Sequence, residues 1–377
     1  MESVLLNNSD FWLAEKCQSK CLVMVNERDA TAVAEAEIIR PWVEARSELD
    51  GHVLFSTSGS MGRRKWVVLS RDALMASARA VNEHLGVTKK DKWLLALPLF
   101  HVGGMGILAR SYAAGCDVVK YSEKWDAQGY HDFLEHEQIS LSSLVPTQLV
   151  DLVNSGCEAP ASLRSVLIGG GRLDDDIYWR ATELGWPVVE TYGMTETASQ
   201  VATAVPGSGS RSLEVLPIWK TRTDEQLRLW LSGTALMVGY VSVNQGVVQM
   251  VDPKRDGWFL SGDVAQVDGR KLKIQGRSDR CVKVLGELVS LDDVEREWRK
   301  FVVLENAPER VSVVVAEDHV RKGASLVLCV EGREKLNDRV LEKWNGSCHP
   351  LYRIEKVSYV DQFARSALGK VLYSSFK

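Results

Sequence analysis

The sequence predicts an α/β protein: a large N-terminal domain with mostly parallel sheets and a β-rich subdomain, then a small α+β C-terminal domain. Three observations carry this. Short apolar runs alternate with helical patterns across residues 71–189, and strands separated by helices imply a parallel sheet covered on both faces. Across 227–275 the texture changes to short strands divided by Gly, Asp and Pro turns. Beyond Asp279 the order strand, helix, two strands, helix, strand occupies about a hundred residues, enough for a separate small core.

Element by element, residues 30–45 read as a helix, and the apolar runs at 53–55 and 66–69 read as strands on either side of a loop. Residues 93–97, 117–120, 139–145, 165–169 and 188–189 are short and apolar, the pattern of buried strands. Between them, 71–85, 102–114, 127–138, 147–154 and 174–184 have helical spacing. The C-terminal block predicts strands at 281–285, 311–316, 324–330 and 352–360, with helices at 291–302 and 333–344. The Gly/Ser-rich stretch 206–211 is the expected mobile loop.

Bulk properties set limits. A chain of 377 residues suits a large domain plus a smaller one. A formal net charge of -4 gives no basic footprint for nucleic acid. The seven cysteines are scattered, and Cys17 with Cys21 forms a lone C-x-x-x-C, so reduced thiols are expected rather than a zinc site. No apolar run reaches membrane-spanning length, and residues 1–10 lack the order of a signal peptide. These features predict a cytoplasmic enzyme with no membrane span.

The most informative stretch is Thr57-Ser58-Gly59-Ser60-Met61-Gly62-Arg63-Arg64-Lys65, between two apolar strands. Glycines let the backbone approach an anion, hydroxyls and N–H groups donate, and the cations offset charge. By itself a Ser/Gly-rich stretch is more often just a turn. It is not the common nucleotide-triphosphatase loop, because Lys65 is followed by Trp66 rather than Ser or Thr. Four further segments follow in order: Glu190-Thr-Tyr-Gly-Met-Thr-Glu-Thr-Ala198, Trp258-Phe-Leu-Ser-Gly-Asp263, Gly276-Arg-Ser-Asp-Arg280 and Gly369-Lys370.

This ordered set resembles the adenylate-forming superfamily of acyl-CoA synthetases, luciferases and peptide-synthetase adenylation domains, from about Gly51 to the end. The resemblance implies an AMP-binding domain over 1–276, a hinge at 277–280 and a mobile lid domain over 281–377. It implies ATP, Mg²⁺ and coenzyme A acting on a small-molecule carboxylic acid. Thr57, Ser58, Gly59, Ser60, Gly62 and Lys65 would hold the β- and γ-phosphates, although Met61 and Arg64 stand where family loops carry Thr and Pro. Arg63 and Arg64 offer charge in place of the lost hydroxyl.

Tyr192 would lie against adenine, Thr195 would donate to the α-phosphate, and Glu196 would ligate Mg²⁺ as a hard oxygen donor. Glu196 at a helix start is the plain alternative. Gly169 and Gly170 would line the adenine pocket. Asp263 would accept from both ribose hydroxyls, Arg277 would add a ribose or phosphate contact, and Asp279 would be the hinge. Lys370 would bridge carboxylate and α-phosphate. The Pro of the family's Pro-Arg-Thr is missing before it, but Arg365 and Gly369-Lys370 keep their spacing.

Finer matches concern the acid. The segments Leu97-Pro-Leu-Phe-His-Val-Gly-Gly104 through Arg110, Ser143 to Leu149 and Leu167 to Gly171 look like o-succinylbenzoate–CoA ligases of menaquinone biosynthesis. There His101 and Gly103 would line the acyl pocket, with Gly103 replacing the family's serine, and Arg110 would meet the succinyl carboxylate. Only about fifty residues precede the phosphate loop, so the resemblance implies a compact member or cover by a homo-oligomer. Three alternatives stay open on sequence: carrier-protein loading instead of CoA, another aromatic or short acid, and a degenerate nucleotide binder.

Overall fold

The computed structural model describes residues 11–12, 20–57, 64–305, 307 and 310–364. The chain forms two compact units: Met1–Arg222 with Trp230–Leu260 and Val267–Lys273, and Thr223–Leu229 with Ser261–Gln266 and Ile274–Lys377.

The first unit runs β1 (Leu22–Met24), α1 (Ala30–Glu44), β2 (His52–Thr57), β3 (Lys65–Ser70), α2 (Arg71–Leu85), β4 (Lys92–Leu95), α3 (Val102–Ala114), β5 (Asp117–Lys120) and α4 (Ala127–His136). It continues through β6 (Leu141–Leu144), α5 (Pro146–Ser155), β7 (Ser165–Ile168), α6 (Asp175–Glu183), β8 (Val188–Met194), β9 (Ser199–Ala204) and β10 (Leu213–Val215). Strands β11 (Trp219–Thr223), β12 (Arg228–Gly233), β13 (Gly239–Asn244), β14 (Val247–Val251), β15 (Phe259–Asp268) and β16 (Lys271–Arg277) follow. The division between units passes through β11, β12, β15 and β16.

Strands β5, β4, β6, β7 and β8 pair in that order, all parallel. Every residue of β6 and β7 is buried, as expected for strands covered on both faces. Leu94, Tyr130, Leu144, Leu149 and Trp186 meet in one core cluster. Burying a side chain such as Leu94 contributes about 1.5–3 kcal/mol, so the alternation of apolar runs is what selects this layering. Beyond β8 the sheet turns antiparallel through β9 and β10. A second sheet, ordered β1-β2-β3-β13-β14, packs Leu54, Trp66 and Val68 against Ile39 and Val43 of α1. Its strands mix parallel and antiparallel pairing.

The second unit adds β17 (Cys281–Val284), β18 (Glu287–Ser290), α7 (Leu291–Leu304), β19 (Ser312–His319), β20 (Gly323–Glu331), α8 (Asp338–Ser347) and β21 (Ile354–Val360). Strands order as β18-β17-β20-β19, with β21 parallel to β20. Trp298 and Trp344 meet edge to face at 5.5 Å over Leu328 and Val294. The architecture is the mixed α/β fold with a small C-terminal sheet that the sequence predicts.

Two element boundaries differ from expectation, and one loop gains an anchor. Strand β8 runs on to Met194, because Tyr192 pairs with Ala202 of β9 and extends it beyond the apolar pair. Helix α8 begins at Asp338 rather than 333: Asn337 caps it by accepting from the Arg339 N–H, and the Leu336 N–H is already given to the Tyr359 hydroxyl. The stretch 206–211, expected to be mobile, ends in a clamp. Arg211 pairs with Glu190 and Asp175, donates to the Leu173 carbonyl at 2.8 Å and lies 4.9 Å over the Tyr178 ring.

Candidate active site

The phosphate-loop residues Ser58, Gly59, Ser60 and Gly62 lie outside the described residues, as does Lys370. The stem of the loop is described. Thr57 closes β2 and donates its hydroxyl to the Lys65 carbonyl at 3.2 Å across the antiparallel β2–β3 pair. Arg64 is committed elsewhere: its guanidinium donates to Asp29 at 2.7 Å and to Ser56 at 3.3 Å, and sits 3.8 Å from Glu35. These contacts anchor Arg64, one of the two arginines that could compensate for the lost hydroxyl, to the start of α1. Lys65 instead places its ammonium 4.7 Å over the ring of Tyr240 on β13.

Tyr240 donates its hydroxyl to Glu196 Oε1 at 2.8 Å. Glu196 lies in a single 3-10 turn, Thr195–Thr197, that follows β8. Thr197 stabilises the turn by accepting from the Met194 N–H at 3.1 Å and donating to the Met194 carbonyl at 3.0 Å. The chain then reverses through two consecutive residues of positive φ, Ala198 at 49° and Ser199 at 105°. Tyr192 is half-buried in β8. Gly193 beside it has no alternative: a Cβ there would stand 1.5 Å from the Ser199 carbonyl oxygen.

Arg110 sits on α3 and is 2% exposed. Its guanidinium donates to Ser199 Oγ at 3.2 Å, reaches Ser143 Oγ at 3.5 Å and lies 5.4 Å from the centre of the Trp93 ring. Burial pushes its pKa down to about 10, so it remains a cation at neutral pH, and no carboxylate is among its partners in the described residues. His101 holds the N-cap position of the same helix, exposed, with its ring 4.7 Å from Phe100. Gly103 in the first turn packs under Leu97, whose Cδ1 would lie 3.2 Å from an added Cβ.

Gly169 directly follows β7, and its N–H donates to the Leu144 carbonyl at 3.2 Å. A Cβ on it would meet Thr191 Oγ1 at 2.5 Å, and Gly170 next to it has φ of 76°. The structure therefore links Lys65 to Tyr240 and Tyr240 to Glu196, and separately Arg110 to Ser199, three residues beyond Glu196 in the chain. Sequence motifs named Lys65, Glu196 and Arg110 but not Tyr240, Ser199 or Ser143. Ser143 lay inside a quoted motif without a role, and Tyr240 carried no local pattern at all.

In the second unit, Asp263 is 8% exposed and its N–H donates to Ser261 Oγ at 3.1 Å. Arg277 donates to Asp263 Oδ1 at 3.2 Å and stands 3.7 Å from Asp279. Asp263, Arg277 and Asp279 thus form a second local group.

Among the described residues, no group of three or more His, Cys, Asp or Glu side chains could hold a metal by itself. A Mg²⁺ that arrives on a nucleotide commonly takes one or two carboxylates plus substrate phosphates and waters. Glu196 fits that use: Oε1 is held by Tyr240, and Oε2 has no hydrogen-bond partner among the described residues. No helix in the described residues is long and apolar enough to cross a membrane. The six described cysteines are all free thiols.

The fold is that of the adenylate-forming enzymes. The description "AMP-binding enzyme" matches residues 6–224, more than half of the chain, and the protein belongs to that family. Among its relatives, it is 28% identical to the 2-succinylbenzoate–CoA ligase of Enterococcus faecalis over 341 residues, which is 85% of this chain and 68% of that protein. Two solved structures of the Bacillus subtilis o-succinylbenzoate–CoA synthetase share the fold at 23% identity. The complex with its acyl-adenylate intermediate superposes with a TM-score of 0.71, covering 86% of this chain and 68% of that one. The complex with ATP and magnesium ion gives 0.70, covering 85% and 69%.

Proposed function

We propose that the protein is an ATP-dependent acid–CoA ligase that forms an acyl-adenylate and then a thioester, with 2-succinylbenzoate as its acid and menaquinone biosynthesis as its setting. The observation that carries the choice of acid is Arg110: a buried cation whose side-chain hydrogen-bond partners among the described residues are two hydroxyls. Leaving a charge so poorly paired is costly, and a ligand carboxylate brought to the guanidinium relieves it. An acid with one carboxylate to activate and a second to anchor meets that demand. The named activity of the Enterococcus relative points the same way.

In this reading a carboxylate oxygen attacks the α-phosphorus of ATP, and the bond to pyrophosphate breaks. Thr57 and Lys65, with Ser58, Gly59, Ser60 and Gly62, bind the outgoing phosphates, while Thr195 donates to the α-phosphate. Mg²⁺, when bound, supplies charge neutralisation on the phosphate oxygens. Glu196 offers it Oε2. Tyr192 with Gly169 and Gly170 holds adenine, and Asp263 accepts from the ribose hydroxyls beside Arg277. Lys370 offsets charge between carboxylate and α-phosphate. His101 and Gly103 line the acyl side. Residues 277–280, with Asp279, act as the hinge between an AMP-binding domain over 1–276 and a lid over 281–377. Coenzyme A then attacks the acyl carbonyl through sulfur, its thiol proton is lost, and AMP leaves.

Pyrophosphate release from ATP tests this, measured with 2-succinylbenzoate, with benzoate and with neither, in the presence and absence of CoA. Release specific to the dicarboxylate, thioester only with CoA, and loss of the dicarboxylate preference in Arg110→Leu are expected. Equal release with benzoate would discard the acid but keep the ligase. No release with any acid would discard the ligase.

A further inference from the structure

We propose that Tyr240 is a positioning residue that fixes the Glu196 carboxylate for the metal and ties it to the stem of the phosphate loop. The inference rests on the reading of Glu196 as the metal-bearing residue. Three features on the first unit meet at this tyrosine. Its hydroxyl donates to Glu196 Oε1 at 2.8 Å. Its ring carries the Lys65 ammonium at 4.7 Å, on the first residue of the strand that leaves the loop. Its backbone is paired with Val67 of β3 on one side and Val251 of β14 on the other.

The segment leading to Tyr240 is held as firmly as the tyrosine itself. The Met237 N–H donates to the Glu196 carbonyl at 2.9 Å, and the Val238 N–H donates to the Val68 carbonyl at 2.8 Å. Lys254 caps the same two residues, donating to the Met237 and Val238 carbonyls at 2.8 Å each. Glu196 is therefore gripped twice by one segment, at its backbone and at its carboxylate. A glutamate has three side-chain torsions and loses rotamer entropy when it is fixed. Holding one oxygen by a neutral donor selects one rotamer without neutralising the charge, and it leaves the other oxygen to coordinate. Partners that orient a metal-bearing group in this way commonly set its affinity by tenfold or more.

Lys65 adds the second half of the argument. A lysine over a tyrosine ring is attracted by the ring's negative face. The same side chain that orients the carboxylate thus also places the cation at the base of the loop. Replacing the hydroxyl alone separates the two roles, because Phe keeps the ring, the strand pairing and the Lys65 contact.

The test uses the full chain and Mn²⁺, whose free aquo ion is counted by its paramagnetic resonance signal, with α,β-methylene-ATP as a nucleotide that cannot transfer its AMP group. Wild type, Tyr240→Phe, Glu196→Gln and the double variant are titrated, and thermal unfolding is recorded for each. Tyr240→Phe should bind Mn²⁺ about tenfold more weakly, with unchanged affinity for the analogue in the absence of metal and an unchanged unfolding temperature. In the Glu196→Gln background the same change should add nothing, since coupled residues are not additive. Tyr240→Phe that binds Mn²⁺ like wild type overturns the inference alone, provided Glu196→Gln weakens it. An equal loss of metal-free nucleotide affinity also overturns it, in favour of a purely structural tyrosine. Glu196→Gln that leaves Mn²⁺ binding intact overturns the metal reading beneath it.

Discussion

Ser199 accepts a hydrogen bond from Arg110 at 3.2 Å while its own backbone is held at φ of 105°. A non-glycine residue in that region costs about 1–3 kcal/mol and persists only where its surroundings impose it. Here they do, because the chain must reverse directly after the Glu196 turn. The turn that presents Glu196 on one side thus supplies an acceptor for Arg110 on the other.

Two variants separate backbone from side chain at this position. Ser199→Ala removes the acceptor and keeps the strain; Ser199→Gly removes both. Both should raise KM for the dicarboxylate by about tenfold, the scale of a lost bond to a charged group, with KM for ATP unchanged. Only Ser199→Ala should also lower the unfolding temperature. Steady-state kinetics with calorimetric melts checks this, and a rise in both KM values would refute a role confined to Arg110.

Two glycines near the site should respond differently to alanine. A Cβ on Gly193 would lie 1.5 Å from the Ser199 carbonyl oxygen, a backbone atom fixed by the β8–β9 pairing. Gly193→Ala should destabilise by about 3 kcal/mol and distort the Glu196 turn. A Cβ on Gly169 would lie 2.5 Å from Thr191 Oγ1, a side-chain atom that can rotate away at the loss of its 3.2 Å bond to the Ile168 carbonyl. Gly169→Ala should cost about 1 kcal/mol and recover in combination with Thr191→Ala. Urea denaturation of the three proteins provides the comparison.

The parallel sheet was legible because its strands are short, with β6 and β7 fully buried at its centre, and its helices keep their spacing. The extension of β8 to Met194 was not, since Glu190-Thr-Tyr-Gly-Met is held in the sheet by pairing with β9 rather than by its own propensity. The same limit applies to the site. Glu196 and Arg110 stand inside recognisable motifs, whereas Tyr240 and Ser199 matter through partners distant in sequence, 44 residues for Tyr240 and 89 for Ser199. Arg64 shows the converse: its place in a cationic run pointed to phosphate, and its salt bridge to Asp29, 35 residues away, draws it off.

Acid should weaken the first unit through one cluster. Asp91, Ser140 and Arg164 are the residues directly before β4, β6 and β7. Arg164 donates to Asp91 Oδ1 at 2.7 Å and Oδ2 at 2.9 Å, and Ser140 donates to Oδ1 at 2.9 Å. Burial alone raises the Asp91 carboxyl, but the bonds from Arg164, the Thr88 N–H and Ser140 outweigh it and hold the pKa at about 2. A carboxyl depressed on folding stabilises above its unfolded pKa of about 3.9, and that contribution is lost as pH falls toward 2. Arg164 is partly exposed, so screening keeps the value on the order of 1–2 kcal/mol. Asp91→Asn should lower stability by that amount at pH 7 and flatten its decline between about pH 4 and 2, read by chemical denaturation at each pH.

The second unit depends on a buried ion pair directly after Asp279. Arg280 and Glu295 pair with side chains 9% and 4% exposed, and Glu295 also accepts from the Val314 N–H at 2.7 Å. Burial pushes the Glu295 carboxyl upward against the pull of Arg280. Arg280 further donates to the Val314 carbonyl at 2.9 Å and to Asp292 at 2.8 Å, so helix α7, strand β19 and the start of the unit converge on one guanidinium. Removing Glu295 leaves the buried guanidinium to the exposed Asp292 carboxylate and strips the Val314 N–H of its acceptor, and Glu295→Ala should destabilise this unit by about 3 kcal/mol. Glu295→Gln keeps an acceptor for the Val314 N–H and should cost less. Because the chain has two units, the readout is limited proteolysis with mapped cut sites: early cleavage between Arg280 and Val330 in Glu295→Ala, with the first unit intact, is the expected pattern. Simultaneous loss of both units would show instead that Glu295 acts beyond its own core.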